Sequence, residues 1–546
     1  MRTPQQFYER SEAWVNRLLE LLPIAATRWG DHRFDGELGS FTLASQNAFI
    51  EEIRSMFAEA DAIDSSDWPN DARIDHRLMR HILRKFIREF EAEKAHVRNP
   101  SYYVMTACTG LLVLLLNDFA PLPERLKSAL SRTRQVPRML NEGMAVLDPG
   151  QIPFSWAESA IEQGQLAPLL FKVLLPNMAR AAAPEIAEEM AAVCEAAREA
   201  VEEHVEFIRN EIVPKAKGTF AVGRERFDEL LREDHMVDYD ADELLETGWE
   251  QFELTKRQME ALAREIDPNR TVKDILEEAK NDHPTAENLL KAYEEAMASA
   301  KQYVIEHEIA TIPEGETLKI METPGFLRPL VPFAAYYAPG VLEKNQEGVF
   351  LVTPADPNVP EEVREQKLRG HLNGKLPVVA LHEAYPGHHL QAVWANRVET
   401  LPRKIGLFLA TMFCEGWAFY CEELMEELGW ISQPIQRLSR LRDQLWRAAR
   451  IILDVSLHTK GMTMDEAISF MVEEVQLEPE NARGEVLRYT QAATQPQSYL
   501  MGKLQILDLI DDLKKANPGL SMKEMHDRIL SKGSLPLRLM RQALEL

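Results

Sequence analysis

The chain has 546 residues, of which 45% are apolar and 27% are charged, a balance typical of a folded globular protein. Its formal net charge of −25 argues against a nucleic-acid partner or an anionic membrane surface, because phosphates must be met by a basic patch. A chain of this length exceeds one simple core, so we expect two lobes or one large helical body with a cleft.

The sequence carries no signal for export or membrane insertion. The N-terminal segment MRTPQQFYERSEAWVNRLLELLP lacks a basic stretch followed by an apolar core, which predicts no signal peptide. The longest apolar run, VMTACTGLLVLLL (104–116), is shorter than the about 20 residues that a membrane-spanning helix needs and predicts a buried helix. Four cysteines without a C-x-x-C pair suit a reducing compartment. We therefore expect a cytoplasmic protein without a membrane partner.

Helical periodicity dominates residues 5–310. The segments 184–213 and 240–266 carry apolar residues at the i, i+3, i+4 and i+7 spacing of one helix face. The first segment opens with a proline, and Asp240 is placed to cap the second. A helix-rich pattern returns at about residue 360 and continues to the C-terminus.

One weak change in composition, at KAKGTFAVG (215–223), is a candidate domain boundary. We predict a helical lobe over residues 1–215 and a catalytic lobe over 216–546, with one continuous body as the alternative. No fixed-period repeat or long Gly/Ser linker interrupts the chain.

Residues 312–354 differ from the rest. TLKIMETP, PFAAYYAPG and GVFLVTP are short β-branched and aromatic stretches broken by Pro and Gly, which predicts a small antiparallel sheet. This sheet precedes a cluster of histidines, and an edge strand can hold an extended substrate beside a catalytic helix. We therefore place Arg328, Tyr336 and Tyr337 along a substrate cleft.

The stretch LHEAYPGHHLQ (381–391) brings three histidines and a glutamate into eight positions. Two imidazoles at i and i+4 of a helix can converge on one Zn²⁺ at about 2.0–2.1 Å. His388 stands at i+6 from His382, about 120° around a regular helix, and His389 at i+7 lies about 10.5 Å along its axis. Neither spacing serves a metal in a regular helix.

Pro386 and Gly387 supply a remedy, because proline removes a backbone donor and glycine adopts conformations that other residues avoid. A two-residue bulge there brings His388 to the usual i+4 place, with His389 as the alternative ligand. Glu383 would then accept a proton from zinc-activated water as general base. The competing interpretation is a helix interrupted at Pro-Gly with surface histidines. This interpretation does not explain why an ionisable residue, Glu383, stands at the end of the apolar run LPVVAL, where burying an unpaired charge is costly.

A catalytic zinc needs a third protein ligand and one open position. In FCEGWAFYCEELMEEL (413–428), Glu415 lies among Phe413, Trp417 and Phe419, so we expect it to be buried and to ligate the metal. A structural carboxylate paired with an arginine is the alternative. The later glutamates of this segment form a charge run typical of a solvated helix face: Glu422, Glu423, Glu426 and Glu427.

Two further segments carry groups that would assist hydrolysis. Tyr499, in QPQSYLMGKLQI, is a candidate donor to the negative charge that builds on a carbonyl oxygen, with a core tyrosine as the equal alternative. Arg450, Asp454 and His458 share one helix face. We assign Arg450 and Asp454 to orienting metal-bound histidines and His458 to the oxyanion. An intrahelical salt-bridged stripe is the alternative.

The chain resembles the bacterial family known as domain of unknown function 885, whose members carry HEA-x-PGHH followed by EGWA-x-Y. The matching segments are LHEAYPGHHLQ and CEGWAFYCEEL (414–424), joined by QPQSYLMGKLQI (495–506) and, more loosely, AATRWGDHRFDG (25–36). The resemblance therefore covers most of the chain. That family is in turn similar to the gluzincin metallopeptidases, whose His-Glu-x-x-His helix is followed by a glutamate ligand.

The resemblance implies zinc ligands at His382, His388 and Glu415, with Glu383 as general base. The Tyr-Pro insertion departs from the gluzincin pattern and leaves the choice between His388 and His389 open. A second departure is an apolar side chain, Phe419, four positions after the glutamate ligand, where several gluzincins place a polar one.

We expect a mainly α-helical, zinc-dependent hydrolase of the metallopeptidase type, with one Zn²⁺ per chain bound within residues 382–415. The expected partner is a peptide or another small amide, and the oligomeric state is not predicted. One alternative is the same metal chemistry on a non-peptide amide or an ester. Another is an inactive relative that binds peptides without cleaving them, which the intact Glu383 argues against.

Overall fold

The structure, a computed structural model, describes residues 3–324, 328, 331, 333–356 and 358–546, with the backbone alone of Phe408. It is mainly helical with one small sheet, which confirms the predicted fold class. The chain divides into two compact units. Unit 1 comprises the residues up to Phe220 with Pro339–Asn345 and Thr400–Pro402, and unit 2 comprises Ala221–Ala338, Gln346–Glu399 and Arg403–Leu546. The predicted lobes part at residue 215, five residues before this division.

The chain up to Phe220 folds into helices joined by short loops. Their bounds are Pro4–Leu21 (α1), Pro23–Trp29 (α2), Leu43–Asp61 (α3), Asn70–Arg88 (α4), Ala95–Arg98 (α5), Ser101–Leu116 (α6), Leu122–Met144 (α7), Phe154–Leu166 (α8), Leu175–Ala182 (α9) and Ala187–Phe207 (α10). The predicted buried helix is α6, with Val104, Leu111 and Leu114 in the core. Across the described part of the chain no single helix meets the length and hydropathy criteria for crossing a membrane. One pair of helices, Asn70–Arg98 and Ser101–Leu116, meets them together but bends by 98°.

Four helices lead from Ala221 to the sheet. They are Arg224–Asp234 (α11), Ala241–Ile266 (α12), Val272–Ala279 (α13) and Leu289–Glu306 (α14). Asp240 caps α12 as predicted, because its carboxylate accepts hydrogen bonds from the backbone N–H groups of Asp242 and Glu243. The Glu243 side chain in turn accepts from the backbone N–H of Asp240.

The sheet has three strands, Thr317–Glu322 (β1), Ala334–Tyr337 (β2) and Glu347–Val352 (β3), in the order β1-β3-β2. β1 runs parallel to β3 and β2 runs antiparallel to it, so the prediction of an antiparallel sheet is wrong for β1. β3 is therefore the central strand, and the two edge strands, β1 and β2, run in opposite directions. Part of the predicted sheet region, residues 325–327, 329–330 and 332, lies outside the described residues.

The helices after the sheet carry the candidate site. Their bounds are Glu361–Leu368 (α15), Leu376–Glu383 (α16), His388–Ala395 (α17), Leu401–Ile405 (α18), Thr411–Glu427 (α19), Pro434–Thr459 (α20), Met464–Glu473 (α21), Pro479–Gln491 (α22), Ser498–Ala516 (α23), Met522–Leu530 (α24) and Leu537–Ala543 (α25). α19 crosses α23 closely at Gly416 and Gly502, where a Cβ on Gly502 would lie 2.1 Å from the carbonyl oxygen of Met412. Because glycine has no side chain, the backbones of α19 and α23 can approach each other closely at this crossing.

Replacing Gly502 by alanine will destabilise the protein by about 1–3 kcal/mol, because the added methyl group overpacks the crossing of the two helices. Gly484 in α22 is the matched control, since a Cβ there meets nothing within 4 Å. Gly484→Ala will stabilise the helix by up to about 1 kcal/mol. Chemical denaturation of both variants measures the two changes, and equal stabilities would contradict the close crossing.

Candidate metal centre

The histidine segment is a helix pair interrupted by a two-residue bulge. Between α16 and α17 the N–H of Gly387 donates to the carbonyl oxygen of Leu381 at 3.1 Å. The N–H of Leu390 donates to the carbonyl oxygen of Ala384 at 3.2 Å. Each bond spans six residues where a regular helix bond spans four, so two additional residues are accommodated. This is the bulge that the Pro-Gly sequence predicts.

Two residues of the bulge are fixed by their surroundings. A Cβ on Gly387 would lie 1.9 Å from the carbonyl oxygen of His382, so only glycine fits there. The carbonyl oxygen of Pro386 accepts a hydrogen bond from Nε1 of Trp417 at 2.9 Å, and Trp417 is fully buried in α19. The bulge is therefore attached to the helix that carries Glu415.

His382, His388 and Glu415 come together, with one donor atom from each lying within 4.8 Å of the other two. Nε2 of His388 is 3.5 Å from Oε2 of Glu415, and the two imidazole rings stand perpendicular with centroids 4.7 Å apart. Two ligands bound at 2.0–2.1 Å to a tetrahedral zinc ion stand about 3.4 Å apart, which is close to the 3.5 Å between His388 and Glu415.

The Glu415 side chain is in the form that binds metal. Burial would raise the pKa of this carboxyl, but the hydrogen bond from His388 and the charges of His382 and Arg450 lower it to about 2. Glu415 is therefore a carboxylate at neutral pH, beside two imidazoles, and it is not the buried structural carboxylate paired directly with an arginine.

His389 is held away from the cluster. Its ring is fully buried in α17, and Nε2 donates to Oε2 of Glu316 at 2.7 Å. Nδ1 lies 3.0 Å from the hydroxyl of Tyr336 and leaves no room for a Cβ on Gly348 of β3. Since both nitrogens have partners, His388 is the histidine of this pair that is available to a metal.

His382 has a carboxylate partner of its own. Its Nδ1 donates to Oε1 of Glu422 at 2.8 Å, which leaves Nε2 free to bind a metal. The Glu422 side chain is 1% exposed, and the guanidinium of Arg447 lies 3.7 Å from the same oxygen. The prediction that Glu422 faces solvent is wrong, because this face of α19 packs on α16.

The remaining glutamates of the predicted charge run divide by helix face. Glu423 pairs with the buried Lys503, and Glu426 pairs with Arg437 at 2.9 Å and with Arg440. Only the fourth glutamate of the run, Glu427, is exposed.

Glu383 follows His382 at the end of α16 and is half-buried. Among the described residues its carboxylate has no hydrogen-bond or ion-pair partner. Burial raises the pKa of the phenols of Tyr293 and Tyr336, and the negative charge of Glu383 raises it further. Tyr293 in turn is hydrogen-bonded to Nδ1 of His371 at 3.1 Å. The carboxylate is thus available to a substrate or a water molecule.

Tyr499 lies in the first turn of α23, half-buried, with the guanidinium of Arg450 4.5 Å from its ring centroid. Burial and the charge of Glu415 raise the pKa of its phenol, which therefore stays protonated at neutral pH. Within the described residues its hydroxyl has no hydrogen-bond partner. Arg450 itself is held by the hydroxyl of Tyr489 at 3.2 Å and the carboxylate of Glu485 at 3.1 Å.

His458 and Asp454 are not brought to the cluster. Nε2 of His458 lies 3.0 Å from the carbonyl oxygen of Tyr489, and Asp454 accepts from the N–H of Thr494 at 3.2 Å. His458 is eight residues beyond Arg450 in α20, or about 12 Å along the helix axis. The assignments of His458 to the oxyanion and Asp454 to the metal-bound histidines are therefore wrong.

The predicted cleft residues also separate. Tyr336 contacts His389, whereas Tyr337 follows it in β2 and points to the opposite face of the sheet. Nε of Arg328 donates to the carbonyl oxygen of Thr323 at 3.1 Å, close to the end of β1. Of the three, only Tyr336 is placed beside the histidine segment.

Three residues of the site were missed by sequence reasoning: Glu316, Glu422 and Arg447. Glu422 stands seven positions after Glu415 and so on the same helix face, a signal that was present. Arg447 precedes Arg450 by three positions on α20, which is the same kind of signal. Glu316 has no local signal, because it reaches His389 from 73 residues away.

Glu422→Gln will weaken metal binding by about 10- to 100-fold, because a neutral amide no longer polarises and orients His382. Glu427→Gln, on the exposed face of the same helix, is the control and will bind metal as the wild type does. Competition with a zinc chelator measures both affinities. An unchanged affinity in Glu422→Gln would remove it from the site.

His388→Ala and His389→Gln distinguish the two neighbouring histidines. His388 is one of the three candidate ligands, so we expect the purified His388→Ala protein to contain no stoichiometric metal. His389→Gln disturbs packing but not the ligand set, so zinc content will stay near that of the wild type. Elemental analysis of the dialysed proteins gives the answer, and the reverse pattern would identify His389 as the ligand.

The fold has relatives among solved structures. A protein described as a “putative lipoprotein of unknown function” from Shewanella oneidensis matches with a TM-score of 0.81 at 23% identity, covering 100% of both chains. A “putative lipoprotein” from Colwellia psychrerythraea matches with a TM-score of 0.82 at 17% identity, covering 97% of this chain and 96% of that one. At these identities the likeness establishes a shared fold.

These descriptions overturn one expectation. Lipoproteins are anchored to membranes through lipid, so the descriptions of both similar structures contradict the prediction of a cytoplasmic protein.

A search of the curated proteins found no match. The family model described as “Bacterial protein of unknown function (DUF885)” matches residues 23–544. The chain therefore belongs to this bacterial family, as its HEAYPGHH and EGWAFY segments predict.

Proposed function

We propose that the protein is a zinc-dependent hydrolase that cleaves peptide bonds, with His382, His388 and Glu415 as metal ligands and Glu383 as general base. The observation that carries the proposal is the convergence of these three donors within 4.8 Å beside a carboxylate without a partner among the described residues. Two imidazoles and one carboxylate are the ligand set of the gluzincin peptidases that the sequence resembles, and this mixture suits zinc.

The residues around the ligands support a catalytic rather than a structural metal. Structural zinc sites are closed by four protein ligands, whereas three protein ligands leave a position for water or substrate. A bound zinc ion would supply Lewis-acid chemistry, lowering the pKa of water and polarising a carbonyl group. Glu422 fixes His382 so that Nδ1 carries the hydrogen, which leaves Nε2 as the nitrogen that can bind the metal.

Two side chains of the protein would then assist the reaction, one by transferring a proton and one by stabilising the developing negative charge. Glu383 takes a proton from water as the water oxygen bonds to the carbonyl carbon. Tyr499 has a protonated hydroxyl near Glu415, which suits it to donate to the carbonyl oxygen as negative charge develops there. Arg450, stacked on the Tyr499 ring, holds that phenol in place.

Glu383→Gln tests the proposal. The variant will keep its zinc, because residue 383 is not a ligand, and will lose hydrolysis by about 100-fold or more, because the amide cannot accept the proton. Both proteins are analysed for metal and incubated with a library of short peptides, with products followed by mass spectrometry. Undiminished cleavage by the variant would refute Glu383 as the base, and a wild type that holds zinc but cleaves no peptide would refute the proposed function.

A further inference from the structure

The histidine that does not face the metal cluster is locked in one tautomer. Nε2 of His389 lies 2.7 Å from Glu316, whose carboxylate only accepts, so this nitrogen carries the hydrogen. Glu316 is itself fixed by the hydroxyl of Tyr385 at 2.6 Å and by an ion pair with Lys301. In the neutral ring Nδ1 is then an acceptor, and the Tyr336 hydroxyl 3.0 Å away donates to it.

This donation decides what Tyr336 offers to a substrate. With its hydrogen directed to His389, the phenol oxygen presents a lone pair on its other side and acts as an acceptor. The Tyr336 ring packs against β3, since a Cβ on Gly348 would lie 3.0 Å from Cε2 of Tyr336. The phenol thus contacts His389, the residue next to the ligand His388, and the charge of Glu383 adds to burial in raising the pKa of this phenol.

We propose that Tyr336 is a catalytic residue that accepts a hydrogen bond from the N–H of the scissile amide, and that His389 and Glu316 are positioning residues that aim its lone pair. The inference rests on the proposed hydrolase function and deepens it. It assigns secondary amides as the substrate class, because esters and N-alkylated amides such as X-Pro bonds have no N–H to donate.

The hydrogen bond orients the leaving nitrogen through the reaction. Water oxygen bonds to the carbonyl carbon while Glu383 takes a water proton, and the carbonyl electron pair moves to oxygen. The oxygen electron pair then re-forms the carbonyl as the carbon–nitrogen bond breaks, and the nitrogen lone pair takes the proton back from Glu383. An N–H held on Tyr336 keeps that lone pair directed at Glu383, whereas Tyr499 acts on the carbonyl oxygen, which amides and esters share.

Binding tests the inference without turnover. A peptide selected from a tetrapeptide library for binding to zinc-loaded Glu383→Gln is compared with its depsipeptide, in which an ester oxygen replaces the scissile N–H. Calorimetry will give about 3- to 10-fold tighter binding of the amide, the effect of one hydrogen bond. Adding Tyr336→Phe will abolish this preference. Adding Tyr303→Phe, whose hydroxyl donates to the carbonyl oxygen of Leu428, will leave it intact.

Turnover provides the second measurement. In the protein with Glu383 restored, Tyr336→Phe and His389→Gln will lower kcat/KM for the amide about 3- to 10-fold more than for the ester. Equal losses on both substrates, or no amide preference in binding, would overturn the inference. If Glu383→Gln prefers the amide in binding but the wild type cleaves neither substrate, the proposed function is contradicted instead.

Discussion

The candidate centre depends on the two-residue bulge between α16 and α17. In a regular helix His388 would point about 120° away from His382, and no metal could bind both. The bulge removes this mismatch, because two hydrogen bonds reach across six residues and Gly387 occupies a place where any Cβ would collide with the backbone. Trp417 holds the carbonyl of Pro386 from α19. The same contact that fixes the bulge therefore also fixes the helix of Glu415.

Around this core, buried charges are matched by partners. Glu422 joins His382 to Arg447, which in turn lies 3.7 Å from Asp443, and Asp443 pairs with Lys375 at 3.2 Å. Buried ions are costly unless they are paired and hydrogen-bonded, and each charged group of this network has an oppositely charged partner. Glu383 is the exception, since it lacks such a partner among the described residues.

Local sequence predicted the parts of the site that local chemistry dictates. Pro386 and Gly387 act on their own backbone, so the bulge and its residue count follow from them. The apolar neighbours of Glu415 predicted a buried side chain, whereas it is 21% exposed beside the two histidines. Glu422 was assigned to solvent because four glutamates look alike in sequence, although only the helix face of each decides its burial. His458 shares a helix face with Arg450 but lies about 12 Å further along the axis, so a shared face alone does not bring it to the cluster.

Other parts depend on contacts that no local pattern encodes. Glu316 and Tyr336 reach His389 from 73 and 53 residues away. The parallel pairing of β1 with β3 is likewise set by the path of the chain through β2. The three histidines therefore differ in their surroundings. His382 and His388 belong to the ligand cluster, whereas His389 contacts the sheet.

X-ray absorption at the zinc edge of the purified, dialysed protein tests the ligand assignment most directly. We expect a spectrum with two imidazole nitrogens and one carboxylate oxygen among light-atom ligands at about 2.0–2.1 Å. Replacing Glu415 by alanine will remove the carboxylate contribution or the metal itself. A wild-type protein that retains no zinc, or a spectrum without imidazole scattering, would rule out this ligand set.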